Sequence, residues 1–227
     1  MVTTELRRGQ DDAFVVRTDE LDLQAVLPGL AYSQETDEEF VRRFPSSESA
    51  PAIYERFADA APALLAQAAA HVRPSWEDRL VVLHGLLATA RVEWLLGGST
   101  ALAVRGVEIV PRDIDFTVED HEATVRALDH LLVEPPLESH GQWIADWFGR
   151  AWLGMRIEWA AGTRPDLDDH EWTSDIGPEA VRRAETIEWR GLEFRVPPLD
   201  LQMAVTRERG LHDRVAAIEA LGRRRSR

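Results

Sequence analysis

Cysteine is missing altogether from the 227 residues. The chain therefore has no disulfide framework, no thiolate metal site and no cysteine nucleophile, and any metal must rest on oxygen or imidazole ligands. Lysine is missing too, since all 26 basic residues are arginine, a bias that GC-rich coding explains at least as well as a functional demand. No run approaches the ~18 consecutive apolar residues of a membrane span, and Met1 to Asp12 lacks the apolar stretch of a secretion signal. The expectation is a soluble, cytoplasmic protein with no membrane partner. Positive charge is in deficit, with 40 acidic residues leaving a formal net charge of −14. Non-specific nucleic-acid binding needs the opposite balance and is not expected, whereas a negative cleft attracts a cationic small molecule.

What is present suits a folded chain. Hydrophobic residues make up 44%, enough for one substantial domain or a small pair. Residues 1–73 are expected to form a mainly helical or irregular N-terminal region. It holds an acidic stretch at Glu35 to Glu39 and a Pro/Ser loop at Pro45 to Pro51. A helix is predicted over Ala52 to Val72 from the spacing of Ile53, Phe57, Ala60, Leu64 and Leu65.

Residues 74–227 show a sharper pattern. Ser75 and Asp78 suggest a shortened capping box, followed by the stripe Leu80, Val81, Leu83 and Leu87, so a helix should end near Ala90. The run Val92 to Leu96 reads as a buried strand closed by Gly97-Gly98. A helix from Ser99 should stop at Gly106. Beyond Pro111, the alternation over Asp113 to Val118 predicts a two-faced strand. A helix over His121 to Leu132 and a strand over Met155 to Trp159 come next. A hairpin turning at Arg190-Gly191 follows, then helices from Leu199 to Arg209 and from His212 to Leu221. The predicted class is α/β (α+β), a mixed sheet flanked by helices.

The chemistry concentrates in Leu96-Gly97-Gly98-Ser99-Thr100 and Arg112-Asp113-Ile114-Asp115-Phe116. Two glycines after a strand let the backbone turn tightly into a helix whose free N–H groups suit an anion. Ser99 is expected to cap that helix or to offer its hydroxyl to a phosphate. Asp113 and Asp115, two apart on a strand, project from one face, with Ile114 and Phe116 on the other. Glu158, flanked by Ile157 and Trp159, is the candidate third carboxylate, with the cluster from Asp166 to Glu171 as fallback. Paired hard oxygens suit Mg²⁺. Arg112 fits either a phosphate or a neighbouring carboxylate equally well.

At these residues the sequence resembles the nucleotidyltransferase superfamily, which shares a palm-like fold with DNA polymerase beta. Its pattern is a glycine-rich turn opening a helix, an acidic pair on the next strand and a third acid on a later one. The resemblance implies Mg²⁺-dependent transfer of a nucleoside monophosphate from a nucleoside triphosphate, ATP first among them, to a hydroxyl acceptor, with release of pyrophosphate. Gly97, Gly98, Ser99 and Arg112 would bind the nucleotide, and Asp113, Asp115 and Glu158 would hold the metal and carry catalysis. The implied acceptors are a small molecule such as an aminoglycoside, a tRNA end or a protein side chain. Small bacterial members often carry lysines near the C-terminal hairpin and helix; here Arg207, Arg209 or His212 would serve. The alternative is a catalytically inactive nucleotide-binding or toxin–antitoxin module on the same fold.

The remaining candidates are weighed toward structure. His140, Gln142, Trp143 and Trp147 could line an acceptor pocket, though aromatics at this spacing are more often core. His84 is expected to be structural, Arg105 to face solvent, and Arg223 to Arg225 with Arg227 to form a frayed, solvated tail.

Overall fold

The structure is a computed structural model and describes residues 1–139, 144–163 and 175–225. His140, Gln142, Trp143, the Asp166 to Glu171 cluster and Arg227 lie outside the described residues.

The N-terminal region contains more sheet than its sequence announces. Strands β1 (Thr3–Arg7) and β2 (Asp11–Arg17) form a hairpin. After helix α1 (Leu21–Val26) and a 3-10 turn at Pro28–Leu30 come β3 (Ser33–Gln34) and β4 (Glu39–Pro45). These four strands make an antiparallel sheet in the order β1-β2-β4-β3. The expectation of a mainly helical or irregular region is corrected accordingly. In β4 the inward face reads Phe40, Arg42, Phe44, all buried, and an arginine at the centre of a buried face breaks the apolar alternation that marks a strand. Helix α2 (Ala50–Ala68) lies close to its predicted span and buries Ile53, Phe57, Ala61, Leu64 and Leu65. Phe14 sits 5.0–5.4 Å, ring to ring, from Phe44, Tyr54 and Phe57, which ties the sheet to α2.

The next elements follow the predicted order. Helix α3 (Trp76–Thr89) buries Trp76, Leu80, Leu83 and Leu87 on one stripe. Ser75 occupies its N-cap position, but its hydroxyl turns to the Asp78 carboxylate at 3.4 Å and caps no backbone N–H. Strand β5 (Trp94–Leu96), helix α4 (Gly98–Val104), strand β6 (Ile114–Val118) and helix α5 (His121–Leu128) come next. Asp120 caps α5 by accepting from the Ala123 N–H at 2.8 Å. The strands β7 (Leu137–Glu138), β8 (Ala145–Trp152) and β9 (Arg156–Thr163) complete a five-stranded sheet in the order β5-β6-β9-β8-β7. Only β6 and β9 run parallel among the described pairs of that sheet.

Strand β8 was not legible for the same reason as β4. It carries a glycine at its centre and the buried Arg150 next to it. Gly149 faces Trp159 across the β8–β9 ladder, and a Cβ there would fall on the indole ring. The missing side chain makes room for Trp159 to stack on Phe116 at 6.1 Å.

After helix α6 (Pro178–Arg182), strands β10 (Glu185–Trp189) and β11 (Leu192–Val196) form the expected hairpin. Its turn residues Arg190 (φ 51°) and Gly191 (φ 74°) are both left-handed, as a two-residue hairpin turn requires. Helices α7 (Leu199–Glu208) and α8 (His212–Arg225) close the described chain. Helix α8 runs through Arg225, so the frayed tail is corrected; Arg224 bonds Glu108 at 2.7 Å. One apolar cluster runs from Phe14 and Phe57 through Leu80 and Leu96 to Phe116, Trp159 and Phe194. The N-terminal layer and the five-stranded sheet thus share buried surface. Among the described residues no helix is long and apolar enough to cross a membrane.

Candidate active site

The parallel pairing of β6 with β9 sets Asp115 directly beside Glu158. Ile114 and Phe116, with Ile157 and Trp159 opposite them, are buried, and the alternation turns the acids to the other face. Asp113 stands one side-chain step before Asp115. One carboxylate oxygen from each of Asp113, Asp115 and Glu158 lies within 4.8 Å of the other two. The three acids named from sequence are therefore brought together.

The glycine turn backs this cluster. The Gly97 N–H donates to the Asp115 carbonyl at 2.8 Å, and Thr100 Oγ1 donates to the Asp113 carbonyl at 2.8 Å. Gly98 has φ +55°, and a Cβ on it would collide with Asp115 Oδ2. Ser99 is not the N-cap: that position is Gly97, whose carbonyl accepts the Ala101 N–H at 3.0 Å. The left-handed Gly98 starts the helix one residue early and leaves Ser99 buried inside its first turn.

Electrostatics divide the three acids. Burial, then the charges of Asp113 and Glu158, holds the Asp115 carboxyl well above the ordinary carboxylate range. Burial also works against the Glu158 charge, but Arg150 and Arg156 outweigh it and hold Glu158 below that range. Arg150 meets Glu158 Oε1 at 2.7 Å. Arg156 pairs with Asp113 and has its Nε 3.7 Å from Glu158 Oε2. The sequence motif did not single out Arg156 or Arg150. Three oxygens within reach of one ion, one of them driven toward protonation by burial and by its acidic neighbours, fit a divalent cation such as Mg²⁺. Arg156 supplies part of that compensation within the chain itself.

Removing Arg156 tests this sharing. Arg156→Met should destabilise the metal-free protein by about 3 kcal/mol, the cost of leaving a largely buried carboxylate unpaired. Mg²⁺ should then raise its melting temperature more than it raises that of the wild type. Equal Mg²⁺ responses in calorimetry would show that guanidinium and cation do not compensate the same charge.

The acids face a cleft of about 500 Å³ also lined by Gly97, Gly98, Thr117, Asp175 and Arg209. Burial pushes Asp175 up to about 6, against the pull of Arg209 and Arg214. An adjoining cavity of about 770 Å³ is lined by Ser99, Arg112, His212 and Arg214, and shares Asp113 and Arg156 with the cleft. Both spaces mix acids with arginines: Arg156 and Arg209 line the acid cleft, and Glu108 and Asp213 line the adjoining cavity. Of the C-terminal candidates, Arg209 and His212 reach these walls, whereas Arg207 turns to Glu219 at 3.4 Å. Arg214 was missed because α8 shows no motif around it. Arg112 is exposed, and its carbonyl accepts from Gln67 of α2. Arg105 does not face solvent as expected: it is buried, paired with Glu185 and the Pro197 carbonyl. Trp147 stacks on His121 at 4.3 Å, and His84 packs edge-on to Trp94 and Phe194.

The described architecture is a nucleotidyltransferase-like fold. A crystal structure of a provisionally assigned nucleotidyltransferase from Thermotoga maritima matches it with a TM-score of 0.50 and 19% identity, over 66% of this chain and 93% of that one. No protein-family model and no curated protein sequence matches the chain.

Proposed function

We propose that this protein transfers a nucleoside monophosphate from a nucleoside triphosphate, ATP first among them, to a hydroxyl acceptor. The observation that carries the proposal is the convergence of Asp113, Asp115 and Glu158 on adjacent parallel strands, each within 4.8 Å of the others. The acceptor oxygen attacks the α-phosphorus, the bond to the bridging oxygen of the β-phosphate breaks, and pyrophosphate leaves. Mg²⁺, held by the three acids, would neutralise the triphosphate and the charge developing on the leaving group.

The chain's own residues do the rest. Gly97 and Gly98 let the backbone approach the triphosphate without a side chain in the way, and Ser99 offers a hydroxyl from the adjoining cavity. Arg209 within the acid cleft, and Arg112 and Arg214 in the adjoining cavity, would supply positive charge to the leaving pyrophosphate. Glu158 Oε1 is engaged by Arg150, which leaves Oε2, 3.7 Å from Arg156 Nε, as the oxygen that would meet the cation and the acceptor hydroxyl bound to it.

The formal charge of −14 favours a cationic small molecule over tRNA or a protein as acceptor. The inactive-module alternative would gain support from a Glu158 remote from the aspartates, and the observed cluster speaks against it. The test is incubation with Mg²⁺ and each α-labelled nucleoside triphosphate, against aminoglycosides, total tRNA and protein extract. Label should move to one acceptor class. Mg²⁺-dependent nucleotide binding without any transfer would favour the inactive module.

A further inference from the structure

Behind the third acid lies a chain of buried charges that the reaction just described does not use. Arg150 donates through Nη1 to both oxygens of Glu134, at 2.7 and 2.8 Å, while its Nε holds Glu158 Oε1. Glu134 is itself engaged from the N-terminal layer. Arg42 of β4 reaches its Oε2 at 2.8 Å, and the Tyr32 hydroxyl donates to its Oε1 at 3.2 Å. The Leu30 carbonyl accepts from Arg42 at 2.8 Å and from Arg150 at 3.1 Å. Tyr32, Arg42, Glu134 and Arg150 are each 6% exposed or less.

Such a network is a poor stabiliser, because taking four charges out of water costs about what their attraction returns. Packed apolar residues would hold the two layers together as well. What apolar residues could not do is divide the Arg150 guanidinium between two carboxylates. We propose that Tyr32, Arg42 and Glu134 form a positioning relay through which the N-terminal layer sets how tightly Arg150 grips Glu158, and with it the divalent-cation affinity of the acid cluster. The proposal rests on the reading that this cluster binds such a cation.

The relay works by competition. Glu134 draws part of the Arg150 charge away from Glu158, and Arg42 and Tyr32 draw part of Glu134 away from Arg150. Weakening Glu134 throws Arg150 onto Glu158, which then binds a cation less well. Removing Arg42 or the Tyr32 hydroxyl strengthens the Glu134–Arg150 contact and releases Glu158. A change in the N-terminal layer is thereby felt at an acid it does not touch.

The experiment is titration of the full chain with Mn²⁺, without nucleotide, read by electron paramagnetic resonance of the free ion. Wild type should bind, and Asp115→Asn should not. Glu134→Gln should weaken Mn²⁺ binding about tenfold, and Arg42→Met should tighten it about threefold, within the range of coupling between contacting charges. The double variant should lie much nearer Glu134→Gln than wild type, since Arg42 acts mainly through Glu134 and only weakly on Glu158 directly; a plain charge effect would be fully additive and bring the double variant back toward wild type. Tyr32→Phe changes no charge and keeps the ring stacked on Phe57. It should tighten binding about twofold, and it provides the readout if the charge variants fail to fold. If the labelled-nucleotide reaction proceeds, the Tyr32→Phe change should appear in kcat at saturating nucleotide with KM for the acceptor unmoved. Wild-type binding lost in Asp115→Asn, with Mn²⁺ affinity unmoved by Tyr32→Phe and additive in the charge variants, would overturn the relay and leave the cation site standing. No Mn²⁺ binding by the wild type would overturn both.

Discussion

Asp115→Asn is expected to lower nucleotidyl transfer by at least about a thousandfold, the loss of several kcal/mol of charge stabilisation at the reacting phosphorus, while raising the melting temperature of the metal-free protein. The two effects share one cause. The Asp115 carboxyl is buried beside Asp113 and Glu158 and held well above the ordinary carboxylate range, so ionising it works against the fold. Asp113→Asn should lose as much activity but gain little or no stability, because it also gives up the ion pair to Arg156. The sign with pH follows from linkage. With its folded value raised above its unfolded value, Asp115 costs the folded state stability as pH rises through that window. The advantage of Asp115→Asn over wild type should therefore be full at higher pH and shrink on acidification, as the wild-type carboxyl takes up its proton. Calorimetry in chelator across pH 4 to 8 checks this. A pH-independent difference, or an unfolded variant, would refute it.

Gly98→Ala should be nearly as damaging to activity, by a steric route. Gly98 takes φ +55°, which costs an L-residue about 1–2 kcal/mol, and the added Cβ would strike the Asp115 carboxylate. Either the turn shifts or Asp115 rotates out of the cluster. Displacement of a reacting group by about 1 Å is worth about a hundredfold in rate, and the melting temperature should fall by about 2–8 °C, at about 2–4 °C per kcal/mol for a chain of this size. Gly97→Ala is the comparison for stability and for metal binding without nucleotide, since its own place beside the triphosphate bears on turnover. Gly97 has φ −114°, and its added Cβ would meet the Asp115 carbonyl oxygen at 3.5 Å, an ordinary contact. Equal losses in the two variants, measured by calorimetry and by Mn²⁺ binding without nucleotide, would show that the turn is generally intolerant and that the Gly98–Asp115 approach has no special part.

How far the residues could be read depended on what each strand buries. Where the inward face is apolar throughout, as at Ile114-Phe116 and Ile157-Trp159, the alternation exposed both the strand and the acids on its far side. Where an arginine points inward, as at Arg42 in β4 and Arg150 in β8, the strand was invisible. A charged side chain signals solvent unless its partner is known, and both arginines meet Glu134, which is 92 and 16 residues away from them in sequence. Arg105 was misplaced for the same reason, its partners being Glu185 and the Pro197 carbonyl. The Gly97-Gly98 turn was legible as a turn; that its second glycine makes room for the Asp115 carboxylate was not.

By itself the sequence determined the order of elements from α3 to α8 apart from β7, β8 and α6, the glycine turn and the face shared by Asp113 and Asp115, because these follow from spacings of a few residues and from backbone sterics. Only the tertiary structure decided that Glu158 stands beside Asp115, since that adjacency depends on the parallel register of β6 with β9. It alone brought Arg156 beside Asp113 and Glu158, Arg209 into the acid cleft and Arg214 into the cavity adjoining it. It also joined the N-terminal sheet to the third acid through Glu134. Charge pairing between distant residues leaves no period in a sequence, and long-range charge pairing is what completes this site.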